Sequence, residues 1–217
     1  MTPPDAALAP APILDRAGFA ALTGATPEQM ADLDAYLVLL TARNEQMNLV
    51  GPSALAEFWS RHVLDSVQLL QHMPAAKTWA DVGAGGGFPG LVLAIFLKGV
   101  PGAKVHLIES MTKRCRFLQE VADALSLPAV VHNARAEILD LSPVEVVTAR
   151  ACAPFPRLLG YVAPFMRKGA VGLFLKGSNA AAELEEAARQ WRFDARLMES
   201  RSDPSGRIVR LEKLSRV

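Results

Sequence analysis

The stretch Asp81-Val82-Gly83-Ala84-Gly85-Gly86-Gly87-Phe88-Pro89-Gly90 carries the clearest chemical signal in the chain. It lies between an apolar run, Thr78 to Val82, that reads as a strand and a run, Leu91 to Leu97, that reads as a helix. Glycines at such a crossing let the backbone approach a ligand, and a helix start offers unpaired N–H groups to a carboxylate or pyrophosphate. Four glycines within positions 83–87 exceed what a tight turn requires. Two spacings overlap here. Gly83-x-Gly85-x-Gly87 after an acidic residue suits a loop that holds S-adenosylmethionine, while Gly85-x-Gly87-x-x-Gly90 matches the dinucleotide fingerprint. Glu109 ends the next strand, about 20 residues on, where a carboxylate can accept hydrogen bonds from ribose hydroxyls. That feature serves both cofactors. Asp81 and the pattern at the chain end favour the methyl donor.

The elements that must position these residues alternate. Strands are predicted at Thr78–Val82, Lys104–Ile108, Ala129–His132, Val144–Ala149 and Ala170–Leu175. Helices are predicted at Leu91–Leu97, Lys113–Leu125, Pro154–Met166 and Ala180–Trp191. Alternation of this kind implies a parallel sheet with helices on both faces. Phe193–Glu199 and Arg207–Leu211 flank Asp203-Pro204-Ser205-Gly206, which reads as a hairpin turn. A sheet ending in an antiparallel hairpin is the Rossmann-like arrangement of class I methyltransferases. Upstream, Thr26-Pro27-Glu28 supplies a cap, a first-turn proline and an early acid for a helix with Leu33, Leu37, Leu40 and Met47 inward, reaching Arg43 or a little beyond. A second helix is predicted from Ser53 to Gln71, closed by Pro74, with Phe58, Val63, Val67 and Leu70 inward. The expected organisation is a flexible arm over 1–12, a helical extension over 13–76 and a catalytic unit over 77–217.

The bulk composition narrows the class. The chain has 217 residues, 51% hydrophobic and 21% charged, enough for one core. A net charge of +1 excludes a uniformly basic nucleic-acid binder and allows a local patch. Two cysteines, Cys115 and Cys152, and a start without the pattern of a signal peptide point to a reducing, cytoplasmic setting. No apolar run is long enough to span a bilayer, and a monomer is the default expectation. His72, His106 and His132 do not stand at metal-ligand spacing, so no metal is expected. Trp59, Trp79 and Trp191 are scattered and read as packing.

Beyond the loop, several short motifs occur in one order. They are Asn48-Leu49, Arg61-His62-x-x-Asp65-Ser66, Phe88-Pro89-Gly90, Glu109-Ser110 with Lys113-Arg114 and Phe117-Leu118, Arg135-Ala136-Glu137, Arg150-Ala151 and Lys176-Gly177. Together they resemble the bacterial small-subunit ribosomal RNA guanine-N7 methyltransferase family, from about residue 25 to residue 213. Val50 departs from the pattern, which usually has threonine after Asn-Leu. The resemblance implies S-adenosylmethionine as cofactor and small-subunit ribosomal RNA, free or in a ribosomal particle, as partner. It implies that Gly83, Gly85 and Phe88 meet the cofactor, that Glu109 holds the ribose, and that Ala136 and Glu137 flank the adenine. Arg150 would face the methionine end and the target base as a positioning group, with no general base. Arg61, Lys113, Arg114 and Lys176 are the expected RNA contacts.

The chemistry fits that expectation. Amine methylation usually needs an Asn/Asp-Pro-Pro-aromatic loop after the fourth strand, and this chain has Arg150-Ala151-Cys152-Ala153-Pro154-Phe155 there. Cytosine C5 methylation needs a nucleophilic cysteine, a role open to Cys152 with help from Arg150, although packing is the simpler reading. Guanine N7 needs neither, since its lone pair lies open on the base edge. Catalysis would then rest on orientation and a preorganised site. Two further readings stay open: a nicotinamide-dependent oxidoreductase, and a non-catalytic cofactor-binding factor in ribosome assembly. The basic runs Lys113-Arg114-x-Arg116, Arg150 with Arg157, and Arg167-Lys168 suit RNA phosphates, while for Arg116 and Arg167 a solvated helix face fits at least as well.

Overall fold

The computed structural model describes residues 14–51 and 54–217, so the arm expected over 1–12 lies outside them. Local signals start the first two helices. The Asp15 carboxylate accepts the Gly18 N–H at 2.7 Å at the head of α1 (Arg16–Thr23). Thr26 and Gln29 form a reciprocal capping box on α2 (Pro27–Met47), with Pro27 in the first turn. Leu33 and Leu40 of α2 are buried, while Leu37 and Met47 are half-buried.

The continuous helix predicted from Ser53 to Gln71 is not there. Ser53 is outside the described residues, a π-helical turn spans Phe58–Val63, and two short helices follow, α3 (Leu64–Val67) and α4 (Leu69–His72). Phe58 and Val63 are both fully buried. Five positions apart on an α-helix they would point about 140° away from each other; the wider π turn brings both onto the core. Val67 is buried and Leu70 half-buried.

The sheet follows the predicted alternation. Strands β1 (Thr78–Val82), β2 (Lys104–Glu109), β3 (Ala129–Asn133), β4 (Val146–Arg150) and β5 (Val171–Lys176) are parallel, and β6 (Trp191–Glu199) and β7 (Arg207–Arg216) form an antiparallel hairpin. The order is β3-β2-β1-β4-β5-β7-β6. This is the class I methyltransferase arrangement expected from the sequence. The connecting helices are α5 (Gly90–Phe96), α6 (Thr112–Ala124), α7 (Phe155–Met166) and α8 (Ala180–Ala187). Helix α8 stops short of the predicted Trp191, because Trp191 opens β6 and pairs with Arg216. The Arg216 guanidinium lies 4.1 Å from the Trp191 ring centroid.

Two apolar layers cover the sheet. On one face Phe19, Leu33, Tyr36, Leu40 and Phe58 of the N-terminal helices join Trp79, Leu91 and Leu118 in one cluster. On the other, Phe155, Leu159, Phe174 and Trp191 form the second. Strand order reverses between β1 and β4, and open sheets of this type bind ligands at the carboxyl ends beside such a reversal. The glycine loop, Glu109 and Arg150 all stand there.

Candidate functional site

The loop after β1 keeps its shape through glycine backbones and one buried acid. Gly83 has φ +75° and Gly87 φ +100°, in the left-handed region. A Cβ on Gly83 would stand 2.6 Å from the Cys152 sulfur, so the loop and the end of β4 approach closely at that point. The Asp81 Oδ2 atom accepts the Gly90 N–H at 2.9 Å. The start of α5, which the sequence offered to a ligand carboxylate, is therefore already engaged by the protein's own acid. Asp81 is fully buried and its Oδ1 has no partner; burial pushes its carboxyl up to about 7.

Glu109 ends β2 and is 5% exposed. Its Oε1 accepts the Met111 N–H at 2.8 Å and its Oε2 the Gly85 N–H at 3.1 Å. A carboxylate has about four acceptor positions, so each oxygen keeps one for a hydroxyl donor. Glu109, Gly83, Ala136, Glu137, Arg114 and Cys152 line one cleft of about 350 Å³. Burial, then Asp81 and Glu109, push the Cys152 thiol up, opposite to what a nucleophile requires. Cys152 is a packing residue against Gly83.

Arg150 ends β4 with its side chain 18% exposed. Its Nη1 donates to Nδ1 of His62 at 2.6 Å and stands 3.9 Å from Oδ2 of Asp65. The guanidinium carbon lies 4.9 Å from the Phe88 ring centroid, and the His62 ring lies 4.9 Å from the same ring at 31°. Because arginine can only donate, Nδ1 of His62 must accept and its proton sits on Nε2. Burial, then Arg150 and Arg61, bring the His62 pKa down to about 3, so the ring is neutral.

Behind Arg150 opens a cavity of about 450 Å³, bounded by the π turn and α3, the end of β5 and the β6–β7 loop. That loop is docked by three residues of the helical segment. Asp65 accepts from Gln68, Ser200 and Ser202. Gln68 accepts the Arg201 N–H at 2.8 Å, and Arg61 pairs with Asp203 at 3.1 Å. Burial pushes the Asp65 carboxyl up, against the hydrogen bonds and the Arg150 charge that hold it ionised. From the opposite side, Tyr36 of α2 donates its hydroxyl to the Gly86 carbonyl at 2.5 Å while its ring packs on Phe88 and Phe58.

The model of the family described as rRNA small subunit methyltransferase G matches residues 29–203. A protein of Caulobacter vibrioides named "Ribosomal RNA small subunit methyltransferase G" is 59% identical over 214 residues, covering 99% of each chain. The chain belongs to the rRNA small subunit methyltransferase G family. A second member, from Methylorubrum extorquens, is 46% identical over 192 residues, covering 88% of this chain and 91% of that one. Among solved structures, an O-methyltransferase from Bacillus cereus in complex with SAH superposes with a TM-score of 0.58 at 14% identity, covering 89% and 94% of the two chains. That likeness shows the class I fold.

Within this methyltransferase G member the expected cofactor residues Gly83, Glu109, Ala136 and Glu137 share one cleft. Gly85, Phe88 and Arg150 line an adjoining one of about 260 Å³ along the glycine loop, together with Gly83 and Arg114. Arg114 sits 3.8 Å from Oε2 of Glu109 and lines the same cleft. Lys113 is exposed in a separate groove with Arg43 and Arg116. Arg61 and Lys176 do line the large cavity, but each is ion-paired, Lys176 with Glu183 at 2.6 Å. Val50 packs beside Gly86, and its N–H donates to Asn44 at 2.9 Å, so the turn after Asn48-Leu49 forms without threonine. His106 and His132 hydrogen-bond each other at 2.9 Å across β2 and β3. Among the described residues no cluster of three or more His, Cys, Asp or Glu could hold a metal, and no helix is long and apolar enough to cross a membrane.

From sequence, His62 was open to an RNA contact or a bond within the helical segment, while Tyr36, Asp65, Gln68, Ser200 and Ser202 had no role at the site. For His62 and Asp65 a signal existed, since a spacing of three puts both on one helix face. Tyr36 and the two serines carried none.

Proposed function

We propose that the protein transfers a methyl group from S-adenosylmethionine to N7 of a guanine in small-subunit ribosomal RNA. Family membership supports the substrate class, and the residues present fit the cofactor. Glu109 retains one free acceptor position on each oxygen for the two ribose hydroxyls, and Gly83, Ala136 and Glu137 line the same cleft. When bound, S-adenosylmethionine supplies an electrophilic methyl group. Among the chain's own residues, Glu109 holds the ribose, Ala136 and Glu137 flank the adenine, and Arg150 presents the acceptor.

One observation carries the choice of acceptor. Arg150 and Ala151 line both the cleft along the glycine loop and the large cavity, so donor and acceptor chambers meet at the end of β4. The polar side chains lining both chambers are Arg150 and a neutral histidine that already accepts from it. The Asp65 carboxylate beside Arg150 in the large cavity is taken up by Gln68, Ser200 and Ser202. Neither side chain at the junction is a base poised to take a proton. N7 of guanine needs none, because its lone pair is available as it stands. Lys113 with Arg116, exposed outside the chambers, is the phosphate contact in this reading. We place the protein in the cytoplasm and take the monomer as the working form, which light scattering on the purified protein checks.

The deciding experiment maps 7-methylguanine in small-subunit ribosomal RNA from cells with and without the gene. One guanine should lose its methyl group in the deletion and regain it on complementation. An unchanged pattern overturns the assignment. Titration with S-adenosylhomocysteine and with NAD should show binding of the first alone.

A further inference from the structure

We infer that Arg150 donates to O6 of the target guanine, selecting it over adenine, and that His62 is the positioning residue holding the guanidinium for this contact. The inference rests on the proposed function and adds how the base is recognised.

Arg150 is largely enclosed, yet only one of its five N–H groups has a hydrogen-bond acceptor among the described residues, the Nδ1 atom of His62. Its other donors are not among the buried polar atoms without a partner, so they open onto the cavities and are free to meet a ligand's acceptor. These donors line the junction of the two chambers, where the acceptor atom must meet the methyl group. On the guanine edge that carries N7, the neighbouring group is the O6 carbonyl, also an acceptor. Adenine has an amino group at that position, which would set donor against donor. A guanidinium beside N7 therefore fits guanine and opposes adenine.

Selection needs the guanidinium held in one place. The Phe88 ring lies 4.9 Å from its carbon, and the 2.6 Å bond to His62 fixes one arm. His62 is itself held by stacking on Phe88. A cation at O6 would oppose the positive charge that the guanine ring acquires on methylation. Asp65, 3.9 Å from the same arm and fastened by Ser200, Ser202 and Gln68, offsets it.

The test compares atoms of the base with atoms of the protein. Small-subunit RNA is prepared with guanine, inosine or 2-aminopurine at the mapped position, and single-turnover methylation is measured at saturating S-adenosylmethionine. Inosine keeps O6 and N7; 2-aminopurine keeps N7 and lacks O6. The native enzyme should use inosine within a few-fold of guanine and lose about a hundredfold on 2-aminopurine. In His62→Ala the guanine rate should fall toward the 2-aminopurine rate, shrinking that ratio to about threefold. His62→Asn, whose amide oxygen falls near the place of Nδ1, should restore much of the ratio. Differences in the intrinsic reactivity of the bases cancel when enzymes are compared. Affinity for S-adenosylhomocysteine shows that each variant is folded, and Arg150→Lys, which removes the planar fork, serves if His62→Ala is not. A native enzyme that uses 2-aminopurine as well as guanine overturns the inference. So does an unchanged ratio in His62→Ala, or in Arg150→Lys if that variant stands in. If the native enzyme places no methyl group on guanine N7, the functional reading itself has failed.

Discussion

Tyr36→Phe isolates one hydrogen bond between the N-terminal helices and the glycine loop. Tyr36 is fully buried, and burial holds its phenol well above the ordinary value, so the hydroxyl stays a donor at any working pH. Phenylalanine keeps the ring contacts with Phe58 and Phe88 and removes only the donor to the Gly86 carbonyl. Leaving a buried acceptor without a partner costs about 1–3 kcal/mol. At about 2 kcal/mol, a chain of this size should melt about 4–8 °C lower. The same contact fixes the loop before the cofactor arrives, so part of the loss should appear as about five- to tenfold weaker binding of S-adenosylhomocysteine. Calorimetry reads the first quantity and isothermal titration the second. If Tyr36→Phe melts and binds like the native protein, the bond does not shape the loop and the reasoning is wrong.

Glu109→Gln should weaken S-adenosylhomocysteine about 10- to 100-fold, since hydrogen bonds to a charged acceptor are worth about 1.5–3 kcal/mol; titration measures it. Asp81 has a carboxyl raised by burial, so the folded state binds more protons than the unfolded one between the ordinary range near 3.8 and about 7. Its contribution is fully present below the lower value and is lost as pH rises through about 7. Asp81→Asn should therefore flatten the decline in melting temperature between pH 5 and pH 8, and an identical decline in both proteins would count against it. Lys113→Ala should weaken RNA binding and lower its salt slope by about 1 without touching cofactor affinity. Arg114→Ala should do the reverse. Ser202→Ala should raise hydrogen exchange in the β6–β7 loop by loosening Asp65, while the amides of β1 keep their protection.

The sheet was legible because buried parallel strands and amphipathic helices have different apolar rhythms, and because Glu109 must fall where the second strand ends. The polar end of β7 was not. Glu212, Lys213 and Ser215 give no apolar alternation, and their strand exists because β6 pairs with it. The π turn was hidden for a related reason: Phe58 and Val63 fit a helix only if the winding changes, and the core decides that. At the site, the residues that line the Glu109 cleft from their own strand ends could be placed there from sequence. The wall of the large cavity could not, since Asp65 meets Ser200 and Ser202 across more than 130 residues of chain. Lys113 and Arg114 show the limit most plainly. Adjacent in sequence, they point into different grooves because neighbouring helix positions face apart.

The docking of the β6–β7 loop on Asp65, Gln68 and Arg61 has a consequence for the order in which the protein is made. Every residue lining the Glu109 cleft lies between Val82 and Tyr161, whereas the large cavity takes one wall from Ser200, Asp203, Gly206 and Arg207. On the ribosome, the chain can complete the lining of the Glu109 cleft first and gains the remaining wall of the large cavity only once the β6–β7 segment has been made.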